Sequence, residues 1–217
     1  MRAVGRLLAA AAASVILISL TAISGCGSGG IPSAFVGAWA VVLRDADDRP
    51  QEDFVFDVFS DGSAWTALRS VGTCNGAGVL SMSFSGWEGG DVTATVNLRS
   101  DGTGTGTWQR AVITPDSGSA TCTRAAATEH VGTYQLVYDG NQAEASTIRI
   151  SREGLVIMSG LGIGVVGADG SFVMAIRANA QAGAGPLVLT GTLTADGASG
   201  TYTLSTGVSG TWAATTV

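Results

Sequence analysis

Short segments in which apolar and polar residues alternate follow one another along most of the chain after residue 35. Clear examples are 79–84, 171–176 and 187–193. The side chains of a β-strand point alternately to its two faces, so a two-residue period predicts strands with one face on a core. Valine, threonine and glycine dominate these segments, and helical periodicity is almost absent beyond residue 26. The pattern predicts an all-β, antiparallel protein.

Asp-Gly dipeptides separate many of these segments. Between alternating strands this dipeptide favours the two-residue type I′ turn, in which both turn residues have positive φ. The dipeptides occur at 61–62, 101–102, 139–140, 169–170 and 196–197. Turns of this kind join neighbouring strands, so we expect an up-and-down meander. The predicted strands are 35–44, 53–59, 63–71, 78–85, 91–99, 103–113 and 119–125, then 130–138, 145–151, 154–160, 162–168, 171–178, 186–195, 199–205 and 209–216.

The chain repeats itself after roughly 95 residues. The stretch 36–39, Val-Gly-Ala-Trp, corresponds to 131–134, Val-Gly-Thr-Tyr, and three further landmarks follow in the same order. We therefore expect two similar β-meanders, one at 35–126 and one at 127–217. A flat sheet of about seven strands would leave open edges, so closure into a barrel or sandwich is expected. Two small barrels and one large shared barrel both fit the pattern; we favour two closely packed meanders.

The N-terminal residues follow a different pattern. Arg2 and Arg6 precede an apolar run from Leu7 to Leu20, and small residues then lead to Cys26. This order of positive end, short apolar middle and small residues predicts a secretory signal peptide over 1–25. The run is short for a membrane-spanning helix, which needs about 20 apolar residues.

The tetrapeptide Ile23-Ser24-Gly25-Cys26 resembles the lipobox of bacterial lipoproteins. The resemblance implies cleavage before Cys26 and attachment of acyl chains, such as palmitate, to its sulfur and its new amino group. Several acyl chains together give firm membrane attachment. Residues 26–34, which open with Gly-Ser-Gly-Gly, are then expected to be a flexible tether. A plain secretory signal and a membrane span are the alternatives.

The lipobox resemblance also implies a location in the cell envelope. Gly27 stands where enteric lipoproteins retained at the inner membrane carry Asp. The expected site is therefore the outer membrane if the host has one, and otherwise the outer face of the plasma membrane.

The charge balance argues against nucleic acid as a partner. Loss of residues 1–25 removes Arg2 and Arg6, which leaves nine basic against 17 acidic side chains and a net charge of −8. Nucleic-acid affinity depends on Lys and Arg neutralising phosphates, and this chain has no Lys. Anionic head groups would also repel the protein weakly, so the membrane affinity must come from the lipid.

Two cysteines remain once Cys26 is acylated. Cys74 and Cys122 both lie in Gly-, Ser- and Thr-rich surroundings. Exported proteins meet an oxidising compartment, so we expect a Cys74–Cys122 disulfide. Two free or metal-binding thiols are the alternative, although the chain has only one His to complete a metal site.

The first strand carries a further resemblance. Gly37-Ala38-Trp39 resembles the first-strand motif of lipocalins and related up-and-down barrels. The resemblance implies that Trp39 closes a barrel floor and that an Arg from the last strand, here Arg124, stacks across it, which cation–π attraction would favour. The second half has Tyr134 for the Trp, and Thr215 or Thr216 for the Arg. An ordinary core role for both aromatics is the alternative, and under either interpretation they serve folding.

Candidate chemistry is sparse. His130 is the single histidine and precedes a strand, which is typical of a structural position. The first hairpin loop gathers five acids, for which a solvated loop is the main interpretation and a calcium site the alternative. They are Asp45, Asp47, Asp48, Glu52 and Asp53. Trp65 lies at a strand start and Trp87 in a glycine-rich turn, where an exposed aromatic would mark a recognition surface and a barrel lid is the alternative. We expect no catalytic residue, metal or cofactor.

These observations predict a lipid-anchored, non-enzymatic cell-envelope protein whose β-barrel binds a small apolar ligand or another envelope component. Barrels of this size can hold one small ligand, although small ones are often filled with side chains. A surface interaction protein without a cavity, such as an adhesin or inhibitor, is the alternative. A carboxylate-dependent hydrolase, with two facing carboxylates, is less favoured.

Overall fold

The chain folds into two closed eight-stranded antiparallel β-barrels. The computed structural model describes residues 30–217, except 87–88, 112–115, 159–161 and 178–185, and except the side chains of 143, 144 and 177. A 3₁₀ turn at Ser33–Phe35 precedes the first strand. The predicted all-β fold with two tandem halves is confirmed, and the single shared barrel is excluded.

Each barrel runs up and down in chain order, and its last strand closes on its first. The strands of barrel 1 are β1 (Gly37–Arg44), β2 (Pro50–Val58), β3 (Ser63–Trp65), β4 (Ser70–Cys74), β5 (Val79–Ser85), β6 (Asp91–Leu98), β7 (Thr103–Ala111) and β8 (Asp116–Arg124). Those of barrel 2 are β9 (Gly132–Tyr138), β10 (Asn141–Ile150), β11 (Leu155–Met158), β12 (Gly162–Val166), β13 (Ser171–Arg177), β14 (Pro186–Thr194), β15 (Gly197–Leu204) and β16 (Ser209–Thr216).

One predicted strand is wrong. The segment 63–71 is two strands, β3 and β4, joined by a turn at 66–69. The backbone N–H of Thr66 donates to the carbonyl of Arg69 at 2.9 Å, which closes this turn. The turn contains neither Gly nor Pro, so the sequence carried no turn signal there.

Most hairpins use a longer turn than the predicted type I′. In the 59–63 turn, Phe59 N donates to Ser63 O and Gly62 N donates to Phe59 O, both at 2.9 Å, and Gly62 has φ +84°. This is a three-residue loop ending in a left-handed glycine. The same hydrogen bonds recur at 75–79, 99–103, 151–155, 167–171 and 204–208. Among the Asp-Gly dipeptides, only 139–140 has positive φ at both residues.

Each barrel encloses its own apolar core. Alternate residues of every strand point inward, as in β1, where Trp39, Val41 and Leu43 belong to the core of barrel 1. Tyr134, Leu136, Phe172 and Trp212 belong to the separate core of barrel 2. The hydrophobic periodicity of the sequence therefore maps directly onto two interiors.

The two barrels pack side by side through β1, β2 and β8 of barrel 1 and β12, β13 and β14 of barrel 2. Six small or branched residues on these strands are buried although they belong to neither core. They are Ala38, Ala40 and Val42 on barrel 1, and Val165, Ala175 and Val188 on barrel 2. They point outward and are covered by the neighbouring barrel.

Corresponding ends of the two barrels lie at the same end of the molecule. We call the end of barrel 1 that carries the turns 59–63, 75–79 and 99–103 the floor end, and the opposite end the mouth. Gly167 of barrel 2 lies near Thr123 at the floor end, where an added Cβ would come within 3.2 Å of its methyl group. Gly207 of barrel 2 lies near Arg49 at the mouth, with an equivalent distance of 3.1 Å to Nε. The 167–171 turn therefore marks the floor end of barrel 2 and the 204–208 turn marks its mouth, so the two floor ends lie at one end of the molecule and the two mouths at the other.

Candidate functional site: barrel interiors and the mouth of barrel 1

In the part of the chain that the structure describes, side chains fill the core of each barrel. In barrel 1, side chains from several walls have no accessible surface at all, among them Trp39, Leu43, Leu80 and Val96. The same holds in barrel 2 for Leu136, Ile148, Val156, Phe172 and Leu189. An internal cavity of water size or larger would expose the side chains that line it. Space for an apolar ligand is therefore absent around these residues.

One ion pair lies inside barrel 1, near its mouth. Arg110 Nη2 is 3.3 Å from Glu52 Oε1, and the two side chains are only 3% and 5% exposed. Glu52 points inward because it continues the alternation of Phe54, Phe56 and Val58 on β2. Arg110 continues the inward series of Trp108 on β7. Burying two charges costs several kcal/mol per ion, so a pair in this position needs close geometry and further hydrogen bonds.

Aromatic rings and a glycine surround this ion pair. The guanidinium carbon of Arg110 lies 5.5 Å from the Trp108 ring centre, a cation–π distance. Phe54 and Phe84 meet edge to face, with ring centres 4.9 Å apart. At Gly86 an added Cβ would come within 2.7 Å of Glu52 Oε1. Gly86, which follows β5, thus lies directly against the carboxylate of Glu52.

The mouth of barrel 2 has a different polar closure. Tyr202 Oη donates to Asp139 Oδ2 at 2.7 Å, and the backbone N–H of Thr211 donates to Asp139 Oδ1 at 2.8 Å. The Tyr202 hydrogen bond, followed by that of Thr211, lowers the pKa of Asp139. Burial, and then the neighbouring Tyr202, raises the pKa of Tyr138, whose ring meets that of Tyr202 edge to face. These contacts fasten the β9–β10 turn to β15 and β16.

The two fully buried carboxylates of barrel 1 do not face each other. Glu52 points into barrel 1, whereas its neighbour Asp53 lies on the outer face of β2, on the side of barrel 2, and is 2% exposed. A glycosidase-type mechanism needs two carboxylates facing one substrate at a fixed separation. Glu52 and Asp53 lie on opposite faces of one strand and do not provide that arrangement.

The acidic first hairpin loop is held by its own contacts. Asp45 Oδ1 accepts hydrogen bonds from the backbone N–H groups of Asp47 and Arg49 at 2.9 and 2.8 Å. The exposed Asp47 and Asp48 form ion pairs with Arg49 and with the largely buried Arg44, respectively. In the part of the chain that the structure describes, no group of three or more His, Cys, Asp or Glu is placed to hold a metal ion.

The predicted Cys74–Cys122 disulfide is not formed. Both residues are free thiols buried in the core of barrel 1. Cys74 lies on β4 and Cys122 on β8, on opposite walls. Eight strands about 4.8 Å apart make a ring roughly 12 Å or more across, whereas a disulfide needs Cα atoms within about 7 Å. Burial raises the pKa of both thiols, most strongly that of Cys122.

The lipocalin resemblance led us to expect that Arg124 stacks across Trp39. Arg124 lies directly opposite Trp39 where β8 pairs with β1. Its Nη1 donates to the carbonyl of Ala34, however, and Arg110 over Trp108 is the only cation–π contact found among the described residues. Trp39 Nε1 donates to the carbonyl of Phe35 at 2.9 Å. Arg124 and Trp39 therefore fix the 3₁₀ turn against the floor of barrel 1.

Barrel 2 repeats the tryptophan contact with a tyrosine. Tyr134 Oη donates to the carbonyl of His130 at 3.1 Å, four residues upstream, as Trp39 does to Phe35. Thr216 lies opposite Tyr134, in the position that Arg124 occupies in barrel 1. His130 is half-buried and contributes backbone groups to these contacts.

Of the remaining candidate residues from the sequence, the structure describes only Trp65. Trp65 is 45% exposed on the outer face of barrel 1, at the end of β3. Trp87 and the lipobox residue Cys26 lie outside the described residues, as does the whole predicted signal peptide. Within the described ranges, no helix is long and apolar enough to cross a membrane.

Sequence reasoning missed the pairing of Glu52 with Arg110. Both positions carried a signal, because each continues a run of inward-facing residues, Phe54 to Val58 on β2 and Trp108 on β7. A charged residue in the inward phase of a strand is rare unless it is paired. The inward-facing positions of Glu52 and Arg110 would therefore have identified both as buried charges, although not their contact with each other.

By its fold, the protein is a tandem pair of up-and-down β-barrels, and side chains fill the described core of each barrel. No protein-family model matches the chain, and no curated protein is significantly similar to it.

Proposed function

We propose that this chain is a lipid-anchored, non-enzymatic protein of the cell envelope that acts through the outer surface of its two barrels on another envelope component. The lipobox-like Ile23-Ser24-Gly25-Cys26 supports the anchor. Cys26 would carry the acyl chains, and the barrels would be exported with it. The location remains the outer membrane in a host that has one, and otherwise the outer face of the plasma membrane.

The filled interiors are the observation that carries the surface role. The core side chains of both barrels have almost no accessible surface, as at Trp39 and Leu80 in barrel 1 and at Leu136 and Leu189 in barrel 2, whereas Tyr138, Leu187 and Tyr202 of barrel 2 are partly exposed. Protein interiors packed in this way contain few voids larger than a water molecule. Between the two binding roles expected from the sequence, this packing favours surface contact over a small apolar ligand held inside a barrel.

The outer face of β5–β8 offers a broad surface for such contacts. Its exposed residues are mostly uncharged and carry hydroxyl groups, among them Thr93, Thr95, Thr107, Ser117 and Thr121. This face is shallow and open where β6, β7 and β8 present Thr95, Thr107 and Ser117. Surfaces of this kind bind through hydrogen bonds and water rather than through apolar burial.

The non-enzymatic part of the proposal is supported by the placement of the titratable groups. Glu52 is paired with Arg110 inside barrel 1, and Asp53 lies on the other face of the same strand. Burial raises the pKa of the thiols of Cys74 and Cys122, which disfavours the nucleophilic thiolate. None of these groups shares an open cleft with a second reactive group.

Extraction of bound small molecules from the purified acylated protein distinguishes a role in surface contact from a role as carrier of an apolar ligand. Membranes are dissolved in detergent, the protein is purified, and small molecules released by solvent are identified by mass spectrometry. The same extract without the protein serves as the blank. Apart from the bulk phospholipids that accompany a lipid-anchored protein in detergent, we expect no molecule above the blank in repeated preparations. One apolar compound recovered in a constant ratio to the protein would contradict the surface role and restore the carrier role.

A further inference from the structure

We propose that the wall of barrel 1 that carries Phe59 and Trp65 rests on the membrane that holds the acyl chains of Cys26. This inference depends on the lipid anchor of the proposed function. It adds a second contact between protein and bilayer, made by side chains of the folded body.

Phe59 and Trp65 form an exposed aromatic pair on one face of barrel 1. Phe59 follows Val58, which points inward, and Trp65 follows Ala64, which also points inward, so both aromatic rings point outward. Trp65 lies opposite Asp57, two residues before Phe59 on the same face. The two side chains are 49% and 45% exposed. Exposed large aromatics in one place usually mark an interaction surface.

The chain leaves the barrel beside this pair. The backbone N–H of Ile31 donates to the carbonyl of Ser60 at 3.0 Å, so residues 30 and 31 lie along the 59–63 turn. An added Cβ at Gly30 would come within 2.8 Å of the same carbonyl oxygen. Residue 30 is therefore fixed next to Phe59 at the floor end.

Only a short length of chain separates this point from the anchor. Cys26 precedes Gly30 by four residues. Four fully extended residues span at most about 14 Å. An acylated Cys26 lies at the bilayer surface, so the 59–63 turn must lie within about that distance of it. The aromatic pair is thus an exposed apolar surface close to the attachment point.

The chemistry of the pair suits a bilayer interface. Tryptophan is enriched at the head-group level of membranes, because its ring is apolar and its N–H stays near water. The nearest acids are the exposed Asp61, whose pKa is lowered by hydrogen bonds from Ser63, and the half-buried Asp57. These carboxylates would not attract anionic head groups, so the contact must depend on apolar burial and should form on zwitterionic lipid.

Brominated lipids provide a direct test, because bromine in the acyl chains quenches a tryptophan only at close range. The acylated full chain with Trp87→Phe is inserted into phosphatidylcholine vesicles with or without brominated acyl chains. Trp39, Trp108 and Trp212 are buried and shielded from the lipid. The difference between this protein and the same protein with Trp65→Phe then isolates the emission of Trp65. We expect brominated lipid to quench most of it.

A tryptophan introduced by Val208→Trp, in the Trp87→Phe, Trp65→Phe background, is the matched control. Val208 is 55% exposed and lies in the 204–208 turn at the mouth end, far from the anchor. The emission of the tryptophan introduced at position 208 should be the same in vesicles with and without brominated lipid. Flotation on a density gradient checks the anchor separately. Protein that floats but leaves Trp65 unquenched would overturn the membrane contact alone, whereas protein that fails to float would overturn the anchor as well.

Discussion

Arg110 Nη2 lies 3.3 Å from Glu52 Oε1 in the interior of barrel 1, although 58 residues separate them in sequence. The pair links β2 to β7 across the mouth, beside Gly86. Removing one member of a buried pair leaves an uncompensated charge, which is more costly than the loss of the contact itself.

Single substitutions in this pair should therefore be strongly destabilising. We expect Arg110→Met or Glu52→Leu to lower the free energy of unfolding by about 3–5 kcal/mol, and the double variant to lose less than either single one. Denaturant unfolding of the three variants measures this. Arg49→Met, in the exposed pair with Asp47, is the control and should change stability by about 1 kcal/mol or less. Single and double variants that lose the same stability as this control would refute a buried pair.

Replacement of the half-buried Asp57 by Asn should stabilise the protein at neutral pH but not at acidic pH. Burial raises its pKa in the folded state above the unfolded value of about 3.9. A raised folded-state pKa means that stability is retained below the unfolded pKa and lost as pH rises through the folded pKa. Asp57→Asn should therefore raise Tm at pH 7 and leave it nearly unchanged at pH 3.

Asp139 should behave in the opposite way. Hydrogen bonds from Tyr202 and Thr211 lower its pKa, so its stabilising effect is present above the unfolded pKa and is lost as pH falls through the folded pKa. Asp139→Asn should lower Tm at pH 7 and have a smaller effect at pH 2. Thermal melts of both variants across this range check the pair of predictions. Shifts of the same sign at pH 7 would contradict the assigned environments.

Because both cysteines of barrel 1 are buried free thiols, we expect the exported protein to contain two thiols that react only after unfolding. Purified without reductant, the acylated protein should be almost unreactive toward a thiol reagent while folded, since Cys74 and Cys122 are buried. After unfolding it should release two thiols per chain, because Cys26 would be blocked by its acyl chain. A count of zero after unfolding would show that the bond absent from this structure forms in the envelope.

The alternation of residues was enough to predict the fold class and most strands. In 91–98, for example, every second residue is buried, and β6 spans that range. The errors arise where a short strand and an unmarked turn interrupt the pattern, as at β3 and the 66–69 turn. The predicted turn type was also wrong at four of the five Asp-Gly dipeptides, all except 139–140. A glycine in the left-handed region ends a three-residue loop as readily as it completes a type I′ turn.

The contact between the barrels was harder to foresee. Ala38, Ala40 and Val42 alternate with inward-facing residues, which makes β1 apolar on both faces. That composition predicts burial on both sides but does not identify the covering element. The positions of Cys74 and Cys122 needed the closed ring as well, because spacing along the chain does not reveal that β4 and β8 lie on opposite walls.

Acylation of Cys26 supports both the envelope location and the membrane contact of Phe59 and Trp65, so it is the central claim. Its most direct test is metabolic labelling with an alkyne analogue of palmitate, comparing the intact chain with Cys26→Ala. We predict that the intact chain incorporates the label and fractionates with membranes, while the variant incorporates none. Equal labelling of both chains, or no labelling of either, would contradict the account.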